Sequence, residues 1–200
     1  MPQESRLPFA PDQFFHLHYH SEAKPIFHID GNYMFFLVRL NKILKPVGKV
    51  YAYCLMPQDI HLLIKTEDRE ALFSAFLEEK HTEAIDAFAP DAFVQKHIDE
   101  LKEVYSKAVQ KLFKEDEEVF GHYFKKVQVA EGPALLQTIR DIHLAPVKAG
   151  LAPAPKDWKH SSYVNTAREN RTFEMGAAVL EHFGGRESFL NYHLSPEGGT

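Results

Sequence analysis

The chain has 200 residues, 44% of them hydrophobic and 26% charged, with a net charge of −5. This composition is that of an ordinary globular protein, and it excludes a protein that grips nucleic acid by bulk positive charge. No run approaches the ~20 apolar residues of a membrane helix, no basic-then-apolar start is present, and the single Cys54 cannot form an internal disulfide. These features lead us to expect a cytoplasmic protein with no membrane partner, in which Cys54 is a small core residue.

In chain order, Phe14 to His20 alternates Phe15, Leu17 and Tyr19 with His16, His18 and His20, the pattern of a strand with one apolar face. Asp30 to Lys45 reads as a helix stopped by Pro46. Lys49 to Met56 and Asp59 to Lys65 read as two strands turning at Pro57. Thr66 is the expected N-cap of the helix that follows. Pro90-Asp91 opens the longest helix, to about Lys114, along which Val94, Ile98, Leu101, Tyr105, Ala108 and Leu112 form a packing seam.

A fourth strand is expected from Phe120 to Val129. A helix follows from Gly132-Pro133 to about Leu144, ending before Pro146, and a last helix from about Phe173 to Phe183. The acidity is local. Residues 66–118 hold 15 acidic and 7 basic side chains, and the remainder holds 13 and 16, so the rest of the surface is mildly basic.

This order predicts an α+β fold, a ferredoxin-like antiparallel sheet sandwiched with helices. The expected division is a domain over 1–164, with a helical insert at about 67–118, and a helical extension over 165–200.

The strand Asp59-Ile-His-Leu-Leu-Ile64 carries the sharpest chemical signal. Alternation puts Asp59 and His61 on one face, with Ile60, Leu62 and Ile64 on the other. A carboxylate and an imidazole two residues apart on a strand can serve as a two-ligand metal pair, weak for Mg²⁺ or Mn²⁺. The same alternation places His16, His18 and His20 on one face. One strand does not easily wrap a tetrahedral ion with three such residues, so these read as polar or nucleic-acid-facing positions, with a structural metal as the alternative.

Tyr51-Ala-Tyr-Cys-Leu-Met-Pro-Gln-Asp-Ile-His resembles the Met-Pro-Asn-His-hydrophobic-His strand of the single-tyrosine (HUH-superfamily) transposases, the REP-associated group especially. Four further patches are similar in order: Phe15-His-Leu-His-Tyr-His with Lys24-Pro-Ile-Phe27; Val119-Phe-Gly-His-Tyr-Phe-Lys-Lys126; Ile142-His-Leu-Ala-Pro-Val-Lys-Ala-Gly-Leu151; and Trp158-Lys-His-Ser-Ser-Tyr163.

The resemblance implies recognition of single-stranded or hairpin DNA, a divalent metal that polarises the scissile phosphate, and a tyrosine that attacks it. It also implies a homodimer with shared sites. The family's first metal histidine falls on Asp59 and its second on His61, its nucleophilic tyrosine on Asp141 and its amide ligand on Ala145. The resemblance therefore implies a catalytically degenerate relative that binds DNA without cutting it.

Lys125, Lys126, Lys148 and Lys159 are the candidate phosphate contacts. Tyr123 and Tyr163 are candidate stand-in nucleophiles, His143 reads as a packing residue, and Trp158 as core rather than a base-stacking platform. Two other function classes stay open. One is a metal-dependent hydrolase using Asp59, His61 and Asp141. The other is an interaction module, with the seam helix or the helix at 132–144 as a dimer interface or with the seam packed on the chain's own sheet.

Overall fold

The structure, a computed structural model, describes residues 7–22, 24–80, 87–114, 119–121, 124–169 and 174–195. The elements run β1 (Phe14–His20), α1 (Asp30–Leu44), β2 (Gly48–Leu55), β3 (Asp59–Thr66), α2 (Arg69–Lys80), α3 (Pro90–Phe113), β4 (Lys125–Val129) and α4 (Pro133–Lys148). A 3₁₀ turn (Pro155–Asp157) leads to α5 (Tyr163–Ala167), α6 (Gly176–His182) and α7 (Arg186–Leu194). The strands form one antiparallel sheet in the order β2-β3-β1-β4. β3 has inserted between β1 and β2, as the strand–helix–strand opening with its tight hairpin predicts.

One sheet face is apolar along β1 and β3. Phe15, Leu17 and Tyr19 of β1 and Ile60, Leu62 and Ile64 of β3 pack under α1, α2 and α3. Val94, Ile98, Leu101 and Tyr105 of the seam are buried in this core, whereas Leu112 is 58% exposed. The stripe on α3 is thus the chain's own core seam, not a free dimer surface. Tyr105 fixes the helix over the sheet by donating its hydroxyl to the Ile26 carbonyl at 2.8 Å.

The second face is split. At one end Phe14, Ala52, Leu63 and Val129 pack against Leu135, Ile139 and Ile142 of α4 and against Val179, Leu180 and Phe189 of α6 and α7. The C-terminal helices therefore complete the second layer of the same fold. A bulge at Tyr51, between the paired residues Val50 and Ala52, lets Tyr51 and Ala52 both face this layer. At the other end the same face carries histidines.

Several local expectations change. Thr66 ends β3 instead of capping α2: its hydroxyl accepts from the Gln13 N–H and donates to the Ala10 carbonyl. Asp68 takes the capping role, its Oδ1 accepting the Ala71 N–H at 2.8 Å. Pro146 lies inside α4, near its end. It removes one helical N–H, and its carbonyl accepts from Leu151 and Ala152 to close the helix. The described part of the fourth strand is shorter than expected, Lys125–Val129. The expected last helix corresponds to α6, which stops before Gly184 (φ 74°) and Gly185 (φ 112°), a backbone region that glycine enters freely, and a further helix, α7, follows; Phe173 lies outside the described residues. Gly48 is required by crowding, since a Cβ there would sit 2.6 Å from the Lys65 carbonyl oxygen.

α4 is held on the sheet by a buried polar chain. The His193 Nδ1–H donates to the Phe189 carbonyl at 2.8 Å, which leaves His193 Nε2 to accept from His143 Nδ1–H at 2.9 Å. His143 Nε2 then accepts the Ser162 hydroxyl at 2.8 Å, and Ser162 Oγ accepts the Tyr53 N–H at 3.0 Å. Every polar atom in the chain is matched if both imidazoles are neutral. Burial holds both histidines down, His193 to about 4 with the Arg140 charge adding and the Phe189 carbonyl opposing, and His143 well below its ordinary value with His193 adding.

The unfolded chain takes up these protons near pH 6.5, whereas the folded chain accepts the His193 proton only near pH 4. Their stability is therefore fully present above pH 6.5 and drains as pH falls from 6.5 toward 4, by up to about 1.4 kcal/mol per pH unit per group. Urea unfolding at pH 7.5, 6.0 and 5.0 should show this loss. His193→Gln should be less stable than wild type at pH 7.5 but have a flatter pH slope, and an unchanged slope would contradict the neutral-imidazole chain.

Candidate functional site

The polar end of the second sheet face is assembled by strand register. His18 pairs with His61, and His20 with Asp59. Because β1 and β3 are neighbours, two alternating strands bring four histidines and a carboxylate onto one patch. Asp59 Oδ1 accepts from His20 Nδ1 at 2.8 Å and from His18 Nε2 at 3.2 Å. His16 Nε2 lies 3.1 Å from His61 Nδ1. The His18 and His61 rings stack at 4.2 Å and 4°.

Burial holds His61 down to about 3, with His18 and His16 adding and Asp59 opposing. Burial also holds His16 down to about 4, with His18 adding and Asp141 opposing. Both rings are therefore neutral at pH 7, the form that donates a lone pair to a metal.

One ligand atom from each of His18, Asp59 and His61 falls within 4.8 Å of the others. Two imidazoles and one carboxylate suit a borderline divalent ion such as Zn²⁺ or Mn²⁺ better than Mg²⁺, which prefers oxygen ligands. His18, read from the sequence as a polar position, is the donor that the fold adds to Asp59 and His61. The signal for it was the matching alternation in β1 and β3 together with the strand order, which makes the two polar faces one face.

α4 lies over this side of the sheet. Asp141 accepts from Gln137 Nε2 at 3.0 Å and is ion-paired with Lys148. Burial pushes the Asp141 carboxyl up, but the hydrogen bonds from Lys148 and Gln137 and the Lys148 and Arg140 charges bring it below its ordinary value. The position thus carries an anion, already neutralised by a partner, that feels His16. Ala145, one turn on, packs against the second core and offers no donor. The Tyr192 hydroxyl reaches only Gln137 Oε1, at 3.5 Å.

The lysines divide. Lys125 pairs across from His18 on the exposed edge strand, and Lys148 ends α4 with 61% of its side chain exposed. Lys159, also exposed, pairs with Asp30. Lys126 points to the opposite face. There its ammonium sits 3.5 Å from the Phe9 ring centroid and 3.7 Å from Asp91, and its side chain is only 10% exposed. Tyr163 is buried in the second core, stacked on Phe189 at 5.6 Å, away from the histidines. Tyr123 lies outside the described residues. Cys54 is buried and its thiol is pushed up by burial.

No family model and no curated protein sequence matches the chain. Among solved structures, it is similar to a REP-associated tyrosine transposase bound to a REP hairpin. That likeness has a TM-score of 0.60 at 13% identity, covering 84% of this chain and 86% of that one. At this identity the likeness is one of fold, here an α+β fold.

Proposed function

We propose that this chain binds single-stranded or hairpin DNA across the histidine-bearing end of its sheet and does not cut it. The observation that carries this reading is the position of Asp141. The helix over the donor patch presents a carboxylate tied to Lys148, where a covalent mechanism needs a hydroxyl. Attack by a carboxylate would give an acyl phosphate that water hydrolyses, so strand rejoining would be lost. Two further facts support binding. Lys125, Lys148 and Lys159 come from three separate elements and stay exposed, and the fold neighbour's solved structure contains a REP hairpin.

Three lysines against a net charge of −5 give a shallow salt dependence, on the order of two to four released counterions. In a binding titration with a hairpin at several salt concentrations, Lys125→Ala should weaken binding and lower the salt slope by about one. Lys126→Ala should leave the slope alone, because that ammonium is held against Phe9 and Asp91. Asp141→Asn should tighten binding by releasing Lys148. No DNA-linked band should survive denaturing electrophoresis for wild type or for Asp141→Tyr. Such a band in wild type would overturn the non-cutting reading, one in Asp141→Tyr alone would show that the metal site is still competent, and a slope insensitive to Lys125 would move the DNA elsewhere.

A second reading, a metal-dependent hydrolase, is favoured by the cluster of His18, Asp59 and His61. These residues would hold a divalent ion, with His20 hydrogen-bonded to the Asp59 carboxylate as a supporting contact. A bound ion there supplies Lewis acidity toward a phosphoryl oxygen. Isothermal titration with Zn²⁺ and Mn²⁺ should show one site, lost in both His61→Ala and His18→Ala. Full-strength binding in His18→Ala would remove β1 from the ligand set, and no binding in wild type would end the metal reading.

A homodimer, the assembly that the family resemblance implies, is proposed to use a surface other than the buried α3 seam. Light scattering at micromolar concentrations should give twice the 23.0 kDa chain mass, and the monomer mass would exclude it.

A further inference from the structure

Beside the donor patch lies a cleft of about 660 Å³, bounded by Pro25 and Pro57, the start of α1, and the segment around Trp158. It is contiguous with the histidine face through the chain. Met56 and Asp59 hydrogen-bond across the turn at Pro57, Pro57 itself accepts from Ile26 and Phe27, and Leu151 follows α4 by three residues.

One wall is aromatic. Phe27 stacks on Tyr33 at 4.3 Å and 16°, Tyr33 stacks on His160 at 3.7 Å and 7°, and Trp158 meets His160 edge-on at 5.7 Å. Trp158 is half-buried, its Nε1–H anchored on the Leu55 carbonyl at 2.9 Å. Trp158, expected in the core, packs against the second core and also lines the cleft. The other groups are polar and oriented. Asp30 is exposed and contacts His160 Nε2 at 3.2 Å and the Lys159 ammonium. Tyr33 is 6% exposed, yet its hydroxyl has no hydrogen-bond partner among the described residues.

A half-buried indole backed by a buried aromatic stack, an anionic acceptor, a hydroxyl with no partner among the described residues and an exposed lysine ammonium beside one another match the parts of a nucleotide. We infer that this cleft receives one unpaired nucleotide of the bound strand, its base against the aromatic wall with an exocyclic amine donating to Asp30, and its phosphate meeting Lys159. Adenine, cytosine and guanine carry such an amine and thymine does not, so the cleft discriminates against thymine. This inference rests on the DNA-binding reading above and extends it to a base preference.

Trp158 is the only tryptophan, so its emission reports the cleft directly. The experiment compares a blunt hairpin with hairpins carrying one unpaired dA, dC or dT at either end, and adds dAMP, dCMP and dTMP alone at millimolar concentration. A dA or dC overhang at one end should raise affinity roughly tenfold over blunt, as base–aromatic contacts do, and should change Trp158 emission; dT should do less.

Trp158→Ala should abolish the gain and Trp158→Phe should keep most of it. Asp30→Ala should erase the preference over dT, read as the ratio of dA- to dT-overhang affinity, because the released Lys159 tightens blunt and overhang hairpins alike. Blunt binding with no overhang effect, and no emission change from any mononucleotide, would overturn the cleft and leave the DNA reading standing. Emission changes with dAMP but no hairpin binding would sustain a nucleotide site and end the DNA reading.

Discussion

The register between β1 and β3 is the constraint on which the rest of the molecule depends. His18 against His61 and His20 against Asp59 follow from the same pairing that sets Phe15 against Ile64 and Leu17 against Leu62. The apolar pairs lock the slide of one strand on the other, because a one-residue slip would turn Phe15, Leu17 and Tyr19 out of the core beneath α1 and α3. The donor patch is therefore positioned by hydrophobic burial on the opposite face. The chain can hold neutral, half-buried imidazoles there because packing elsewhere in the same two strands offsets their desolvation.

The division of the second face explains how one helix serves two purposes. α4 buries Leu135, Ile139 and Ile142 on the apolar end and is pinned from below by His143 and Ser162. The same helix carries Asp141 and Lys148 toward the polar end. A buried, fully matched hydrogen-bond chain next to a half-open, titratable patch separates the groups that specify the fold from those free to meet a ligand.

Much of this was legible in the amino-acid sequence, for identifiable reasons. β1, β3, α1 and α3 were readable to within a residue or so because strict alternation and 3–4 spacing survive wherever one face is buried. The α+β order followed from the sequence of elements. Thr66 and Pro146 misled because a local signal, a potential cap and a helix stop, was overridden by longer-range bonds from Gln13 and Ala10 and by the carbonyl contacts that close α4. Asp59 and His61 could be seen as a pair, since they share one strand. His18 could not be joined to them until β1 and β3 were adjacent, because ligand convergence belongs to tertiary structure. Lys126 looked equivalent to Lys125, but alternation sends the two to opposite faces, and only the partners Phe9 and Asp91 show what became of it.

The way the sheet is threaded also sets an order of assembly. β2 and β3 are joined by a tight turn and can zip locally, but His18 and Asp59 are 41 residues apart, and the contact between Gln13 and Gln128 that accompanies β4 spans 115. Loop closure makes those encounters slow relative to the hairpin. During folding the hairpin thus presents Asp59 and His61 alone, and the third donor arrives only when β1 docks. A chain at that stage has two loosely held groups and no selective grip, so the histidine patch matures only as β1 docks and closes the core that orients it.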